Sequence, residues 1–292
     1  MIKPIHAIST TAILMVTPLS AQLVPLGEHF DVRPHYIDGE WENFIQADSR
    51  PEPYNPSEVF LPLSDKPRDA QDPGHSGARM IQPTSSTFAF TGADPGDPLW
   101  VAPQGSPGIG EAWPGFDNDQ PTDAFGSYIP ADTRVSQTLA RPWMKASLHN
   151  YQTLHGQASD FSMWNSSTGS TTVWMSTADA SVVSEYYFSA GSHTHMWWGF
   201  TGLGLHKVTL TTSAFLGPGA TNPTGESDPF SVLFSVGTIA RWQATWFNAD
   251  ELENPAISGI MADANGDGLT NLVAYAFGLN PRAGGPVPLA EG

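Results

Sequence analysis

From Glu28 onward the chain reads as short runs, apolar or alternating between apolar and polar, broken by clusters of Gly, Pro, Asn and Asp. Runs of this length predict β-strands, and many of them in series predict an all-β fold, an antiparallel β-sandwich with long loops. The clearest pair is Phe30-Asp31-Val32-Arg33-Pro34-His35-Tyr36-Ile37 and Glu40-Trp41-Glu42-Asn43-Phe44, joined by Asp38-Gly39. An Asp-Gly pair accepts the positive φ angles of a tight turn, so the two runs are expected to form a hairpin. Further strands are expected over 58–63, 87–90, 99–102, 135–141, 160–164, 171–175, 184–188, 195–200, 206–213 and 230–236. The stretches 64–84 and 105–132 are rich in Pro, Gly and Asp and read as long surface loops, which often carry function.

After Gly237 the pattern changes. Residues 241–247 are aromatic-rich, Asn248-Ala249-Asp250-Glu251-Leu252 looks like a helix start, and Pro255 ends it. Asp263-Ala264-Asn265-Gly266-Asp267-Gly268-Leu269-Thr270-Asn271 then runs into an apolar helical pattern over 272–279. The expected organisation is a β domain over 22–237, a small helical module over 238–285 and a Gly/Pro tail over 286–292.

That module carries a calcium-like loop. Asp263, Asn265 and Asp267 fall at loop positions one, three and five, with Gly268 allowing the turn at six. The carbonyl of Leu269 and the side chain of Asn271 would follow at seven and nine, so Ca2+ is the expected ion. Position twelve, where a bidentate Glu normally closes the shell, is Ala274. The affinity is therefore expected to be weak, unless Asp250, Glu251 or Glu253 completes the site.

Composition narrows the picture. Charged residues make up 14% of the 292, against 28 Gly and 26 Pro, which argues against helical and doubly wound architectures. A hydrophobic fraction of 40% with 10 Trp supplies a core. The net charge of −17 repels phosphate backbones and excludes nucleic acid as a partner. The absence of Cys excludes disulfides, thiolate metal sites and Cys nucleophiles. At the N-terminus Lys3 precedes a short apolar run over 7–16 and then Thr17-Pro18-Leu19-Ser20-Ala21. This predicts a signal peptide over 1–21, cleaved near Ala21, because the run is too short to span a bilayer. Removing Lys3 gives a mature charge of 11 − 29 = −18. No later stretch is apolar enough to anchor the mature chain in a membrane.

Candidate chemistry centres on histidine. His193 and His195 stand at i and i+2, as do His29 and Asp31, so each pair shares one face of a strand, about 7 Å apart. If the two strands were neighbours, three imidazoles and a carboxylate would form a Zn2+ or Mn2+ ligand set. The alternative is that His193 and His195 bond loop carbonyls beneath a Trp cluster. Trp41, Trp174, Trp197 and Trp198 lie in strand patterns and are expected in the core, whereas Trp100, Trp113 and Trp143 lie in or beside loops and are candidates for stacking on sugars. Asp117, Asp119 and Asp123 sit in a Pro/Gly loop with nothing to drive their pKa values apart, so they do not read as an acid/base pair. No G-x-S-x-G, H-E-x-x-H, P-loop or G-x-G-x-x-G motif occurs, and Gly108-Ile109-Gly110 lacks the third glycine.

Four blocks together resemble a family. They are Glu28-His29-Phe30-Asp31-Val32, Tyr36-Ile37-Asp38-Gly39-Glu40-Trp41, Gly96-Asp97-Pro98-Leu99-Trp100-Val101-Ala102-Pro103-Gln104, and Ala190-Gly191-Ser192-His193-Thr194-His195-Met196-Trp197-Trp198-Gly199-Phe200. In this order they resemble the choice-of-anchor M domain, a surface-anchored wall-repeat domain of bacteria, over residues 28–236. The resemblance implies an exported, non-enzymatic β-rich surface protein. Links of some members to metal uptake strengthen the metal reading of His29, Asp31, His193 and His195. Residues 242–281 are similar to a C-terminal module with an NGDGL-type calcium loop, found on many exported bacterial proteins.

The expected function is thus an exported, non-catalytic, surface-associated structural or adhesion protein, with a surface partner or glycan. The alternatives are a metal-binding accessory protein using the His/Asp set and a carbohydrate-binding module.

Overall fold

The Asp38-Gly39 turn has φ angles of 52° and 93°, the left-handed pair that a two-residue hairpin requires. The strands on either side pair antiparallel from Ile37↔Glu40 to Phe30↔Ala47, as the pattern predicts. The computed structural model describes residues 21–68, 77–82, 84, 86–108, 110–118 and 125–283. The expected signal peptide over 1–21 lies outside the described residues except for Ala21, and so do the tail over 286–292, Asp119 and Asp123.

In chain order the strands are β1 (Val24–Pro25), β2 (His29–Ile37), β3 (Glu40–Ala47), β4 (Val59–Leu63), β5 (Arg79–Ile81), β6 (Pro98–Ala102), β7 (Trp113–Asp117) and β8 (Trp143–Leu154). They continue as β9 (Phe161–Ser167), β10 (Ser170–Ser176), β11 (Glu185–Ser189), β12 (His193–His195), β13 (Trp197–Phe200), β14 (Gly204–Leu216), β15 (Asn222–Pro223) and β16 (Phe230–Val236). Four short helices follow: α1 (Thr238–Trp246), α2 (Ala249–Leu252), α3 (Pro255–Ser258) and α4 (Asn271–Ala276). The chain is mostly β, with 41% strand and 14% helix, and its fold is sandwich-like.

One layer is a seven-stranded sheet in the order β1-β4-β16-β14-β8-β11, with β15 paired to β14. The other comprises a five-stranded sheet, β10-β9-β13-β6-β5, and a four-stranded sheet, β12-β7-β2-β3. The chain passes between these two at Met196, which is buried between β12 and β13. Not every pair is antiparallel: β1–β4, β4–β16 and β2–β7 run parallel. The layers meet through aromatic rings. Phe234 of the large sheet packs on Trp198 and Phe200 of β13, and Phe188 and Tyr186 of β11 pack on Phe116 of β7.

The C-terminal helices are docked on the sandwich. Ala240, Ala244, Phe247 and Leu252 share a buried cluster with Leu23, Phe60, Leu154 and Leu205 of the large sheet and its flank. Adjacent strand residues face opposite ways, so Phe60 lies under the helices while Leu61 enters the central core. No helix among the described residues is long and apolar enough to cross a membrane.

Four expected elements differ, the first being the loop expected over 64–84, which contains strand β5. Residues 87–90 form part of a 3-10 helix over Ser86–Thr91, whose Phe90 covers Trp164 on the outer face of the five-stranded sheet. Residues 135–141 make turns and one isolated bridge, Tyr128↔Arg141. The stretch 105–132 contains strand β7, which runs between β2 and β12.

Candidate metal centre

The four-stranded sheet buries one face and presents the other. Phe30 and Val32 of β2, Phe116 of β7 and Met196 beyond β12 are buried in the core. Strand alternation sends His29 and Asp31, Trp113 and Gly115, and His193 and His195 to the opposite, outer face. Thr194 points inward, where its hydroxyl lies 2.7 Å from Tyr186 Oη.

Register then assembles the cluster. In the parallel ladder Asp31 faces Gly115, and in the antiparallel ladder His195 faces the same Gly115. Asp31 and His195 are therefore two strand spacings apart, with a glycine between them. A Cβ at residue 115 would run into Asp31 Oδ1 and the His195 ring, so the missing side chain is what lets the flanking groups close over the gap. His29 pairs with Trp113 and His193 with Asp117, each two residues along β7 from the glycine.

His29, Asp31, His193 and His195 each offer one ligand atom, and these atoms all lie within 4.8 Å of one another. Nε2 of His29 is 3.3 Å from Nε2 of His193 and 3.3 Å from Nε2 of His195. Asp31 Oδ1 lies 3.1 Å from His193 Nε2, and Oδ2 lies 3.7 Å from His29 Nε2. Metal–nitrogen bonds of about 2.0–2.1 Å in a tetrahedron put the ligand atoms about 3.3–3.4 Å apart, and these separations lie near that value.

The outer nitrogens fix the rings. His29 Nδ1 sits 2.9 Å from Asp48 Oδ1, and His195 Nδ1 sits 3.0 Å from the carbonyl of Pro114. Both partners only accept, so each Nδ1 carries a proton, and Nε2 of each ring is the atom that faces inward. Trp113 stacks on His195 with centroids 4.3 Å apart and packs on His29 at 4.9 Å. Arg33, two residues beyond Asp31, pairs with Asp117 at 2.5 Å.

Burial pushes the His195 imidazole down to about 4, assisted by its histidine neighbours and opposed by the Pro114 carbonyl. At neutral pH it is therefore an unprotonated ligand. Burial also raises the Asp31 carboxyl, against the pull of His193 and His29. Asp31 Oδ1 is buried and accepts no hydrogen bond. His193 Nε2 lies 3.1 Å from this oxygen, and a cation held between the two would satisfy both atoms. The side chain of His193 is 48% exposed, against 7% for Asp31, so the cluster opens to solvent on the His193 side. Three imidazoles and one carboxylate suit Zn2+ or Mn2+ far better than Ca2+ or Mg2+.

The sequence names all four of these residues and leaves their convergence conditional; Gly115 and Asp48 were missed, and Trp113 was read as a stacking surface for sugars. Asp48 was within reach: Ile37 pairs with Glu40 and Phe30 with Ala47, so one step further His29 meets Asp48.

The calcium-like loop is arranged differently. Asp263 Oδ1 accepts from the amides of Gly266 and Asp267, and Oδ2 accepts from Gly268. Asn265 Oδ1 accepts from the Asp267 amide, and Asp267 Oδ1 accepts from Leu269. Asn271 is buried, and its Nδ2 donates to the carbonyls of Ile257 and Gly259, which ties α4 to α3. The side-chain oxygens of the loop thus cap its own backbone. Of the loop tryptophans, Trp100 and Trp143 are buried and Trp113 belongs to the histidine cluster, so none is a free stacking surface.

Comparison with protein-family models, with curated proteins and with solved structures gave no match. The chain is a sandwich-like β protein that carries a cluster of three histidines and one aspartate on the outer face of its four-stranded sheet.

Proposed function

We propose that the protein is a non-catalytic binder of a divalent transition-metal ion, Zn2+ foremost and Mn2+ second, held by His29, Asp31, His193 and His195. The observation that carries this reading is the convergence of three Nε2 atoms and the Asp31 carboxylate within 4.8 Å. Four protein donors fill a tetrahedral shell, which favours holding an ion over presenting a metal-bound water to a substrate. The exposed edge at His193 gives the ion a route in and out. The setting rests on the N-terminal residues and on the resemblance over 28–236, which support an exported, surface-associated accessory or adhesion protein. The Asp263–Asp267 loop, whose oxygens accept from its own amides, carries no part of this reading.

The test is equilibrium dialysis of the untagged chain with Zn2+, Mn2+ and Ca2+, read by elemental analysis. One Zn2+ per chain is expected, with weaker Mn2+ and no Ca2+ at this site, and His195→Ala should lose it. Failure to retain zinc, or undiminished zinc in His195→Ala, would overturn the reading.

A further inference from the structure

The sandwich meets helix α2 along a cleft whose lining holds no histidine. It has a volume of about 420 Å³, within the range of small-molecule sites, and lies where the hairpin, the large sheet and the docked helices come together. Trp41 and Phe230 form its aromatic walls, Asn43, Asn55 and Asp228 its polar rim, and leucines its floor.

The tryptophan is fixed in place. Its ring stacks on Phe125 with centroids 5.9 Å apart and planes 14° from parallel, and its indole N–H donates to the carbonyl of Gly225 at 3.2 Å. Binding against such a wall costs little side-chain entropy. The rim holds unmatched polar groups of both kinds. Asn43 Oδ1 accepts from Thr212 at 3.1 Å, and Asn55 Oδ1 accepts from the Ser57 amide at 3.0 Å, while the amide nitrogens of both residues have no partner among the described residues. The exposed carboxylate of Asp228 likewise has none. The cleft's lysine, Lys207, is paired with Glu253 at 2.5 Å, so no free cation is available for an anionic ligand.

We infer that this cleft is a binding site for a neutral saccharide of one or two pyranose rings. The apolar C–H face of a pyranose matches an aromatic wall, and a hydroxyl both donates to a carboxylate and accepts from an amide N–H. A wholly apolar ligand would leave the two amides and the carboxylate desolvated and unpaired, which is unfavourable. The inference is independent of the metal reading, because the cleft shares no residue with the histidine cluster.

The experiment is saturation-transfer-difference NMR on the full chain with millimolar glucose, N-acetylglucosamine, maltose and cellobiose. Transfer to ring C–H protons of at least one sugar is expected, weakened about tenfold or more in Trp41→Ala and in Asp228→Ala. Asp228 is at the surface, so its variant stays informative if Trp41→Ala does not fold, and zinc stoichiometry reports independently on an intact sandwich. Absence of transfer from all four sugars, or undiminished binding in Asp228→Ala, would overturn the inference.

Discussion

Nε2 of His29 lies 3.3 Å from Nε2 of His195, although each ring donates its Nδ1 proton outward, one to Asp48 and the other to the Pro114 carbonyl. Two inward lone pairs at that distance repel each other, and a cation between them reverses the sign of the interaction. An ion that binds this arrangement and not the unfolded chain must stabilise the fold. At a free concentration one hundred times its dissociation constant, zinc should add about 3 kcal/mol, or roughly 5–10 °C in melting temperature. Differential scanning calorimetry with zinc and with chelator measures this directly. An equal shift in His195→Ala would place the stabilising ion elsewhere.

Gly115 is the floor of the site. Its outer face lies between Asp31 and His195 in adjoining ladders, and even a methyl group there meets both. Gly115→Ala should therefore reduce zinc affinity by a hundredfold or more, on the order of 3 kcal/mol. Its effect on the metal-free melt should be much smaller, because this face lies outside the core. Titration calorimetry beside a chelator melt separates the two, and a variant that binds zinc normally would refute the role assigned to the glycine.

Asp48 orients His29 through its outer nitrogen and stands outside the four-residue cluster. A carboxylate on the far nitrogen fixes the tautomer and strengthens the ligand, and losing it typically weakens metal binding about 10–100-fold. Asp48→Ala is expected in that range, with stoichiometry kept at one. The side chain is 72% exposed, so the fold should tolerate the change. Wild-type affinity in this variant would show that Pro114 and the tryptophan packing suffice to set the rings.

Much of this was legible in the chain, and the reasons it was incomplete are physical. The hairpin was readable because Asp38-Gly39 can take its turn geometry, and spacing alone put His29 with Asp31, and His193 with His195, on one face of a strand. That the two strands share a sheet was not readable, since it depends on β7, whose Trp113-Pro114-Gly115 resembles loop sequence. The glycine that hid the strand is the residue that makes room for the cluster. Strand β8 was missed for another reason: polar His149 and Asn150 interrupt its alternation where the ladder to β14 slips register. Trp100 and Trp143 looked like surface residues because their flanks are Pro-rich, yet both are buried.

Acid should weaken the fold through His206. This ring is fully buried, with Nδ1 2.9 Å from Tyr151 Oη and Nε2 3.0 Å from the Gly202 carbonyl. Burial pulls its pKa down to about 4, against the Gly202 carbonyl, while the unfolded chain titrates near ~6.5. Above about 6.5 neither state is protonated and the residue confers no pH dependence. As pH falls from there towards 4, the unfolded state takes up a proton that the folded state refuses, and stability drops by up to about 3 kcal/mol. Urea unfolding at pH 7 and pH 4.5 should show a larger drop for the parent than for His206→Gln. Parallel losses in the two proteins would exclude His206 as the source.

The Asp263 loop distinguishes an ion site from a self-capped turn. Asp263 accepts three backbone amides, from Gly266, Asp267 and Gly268, and so holds the chain that leads into α4. Removing that carboxylate strips a cap-like network, a change worth about 1–2 kcal/mol by analogy with helix caps. Because the bonds are to protein amides, Asp263→Ala should destabilise the chain equally in chelator and in millimolar calcium. The His195→Ala variant, in which the histidine cluster is disabled, should itself melt at one temperature in both buffers. Hydrogen exchange at Gly266, Gly268 and Leu269 gives the local version of the same measurement, with protection lost in the variant whatever the buffer. A rise in protection at those amides on adding calcium would mean that the side-chain oxygens take an ion while keeping their amide bonds, and the self-capped description of the loop would fail.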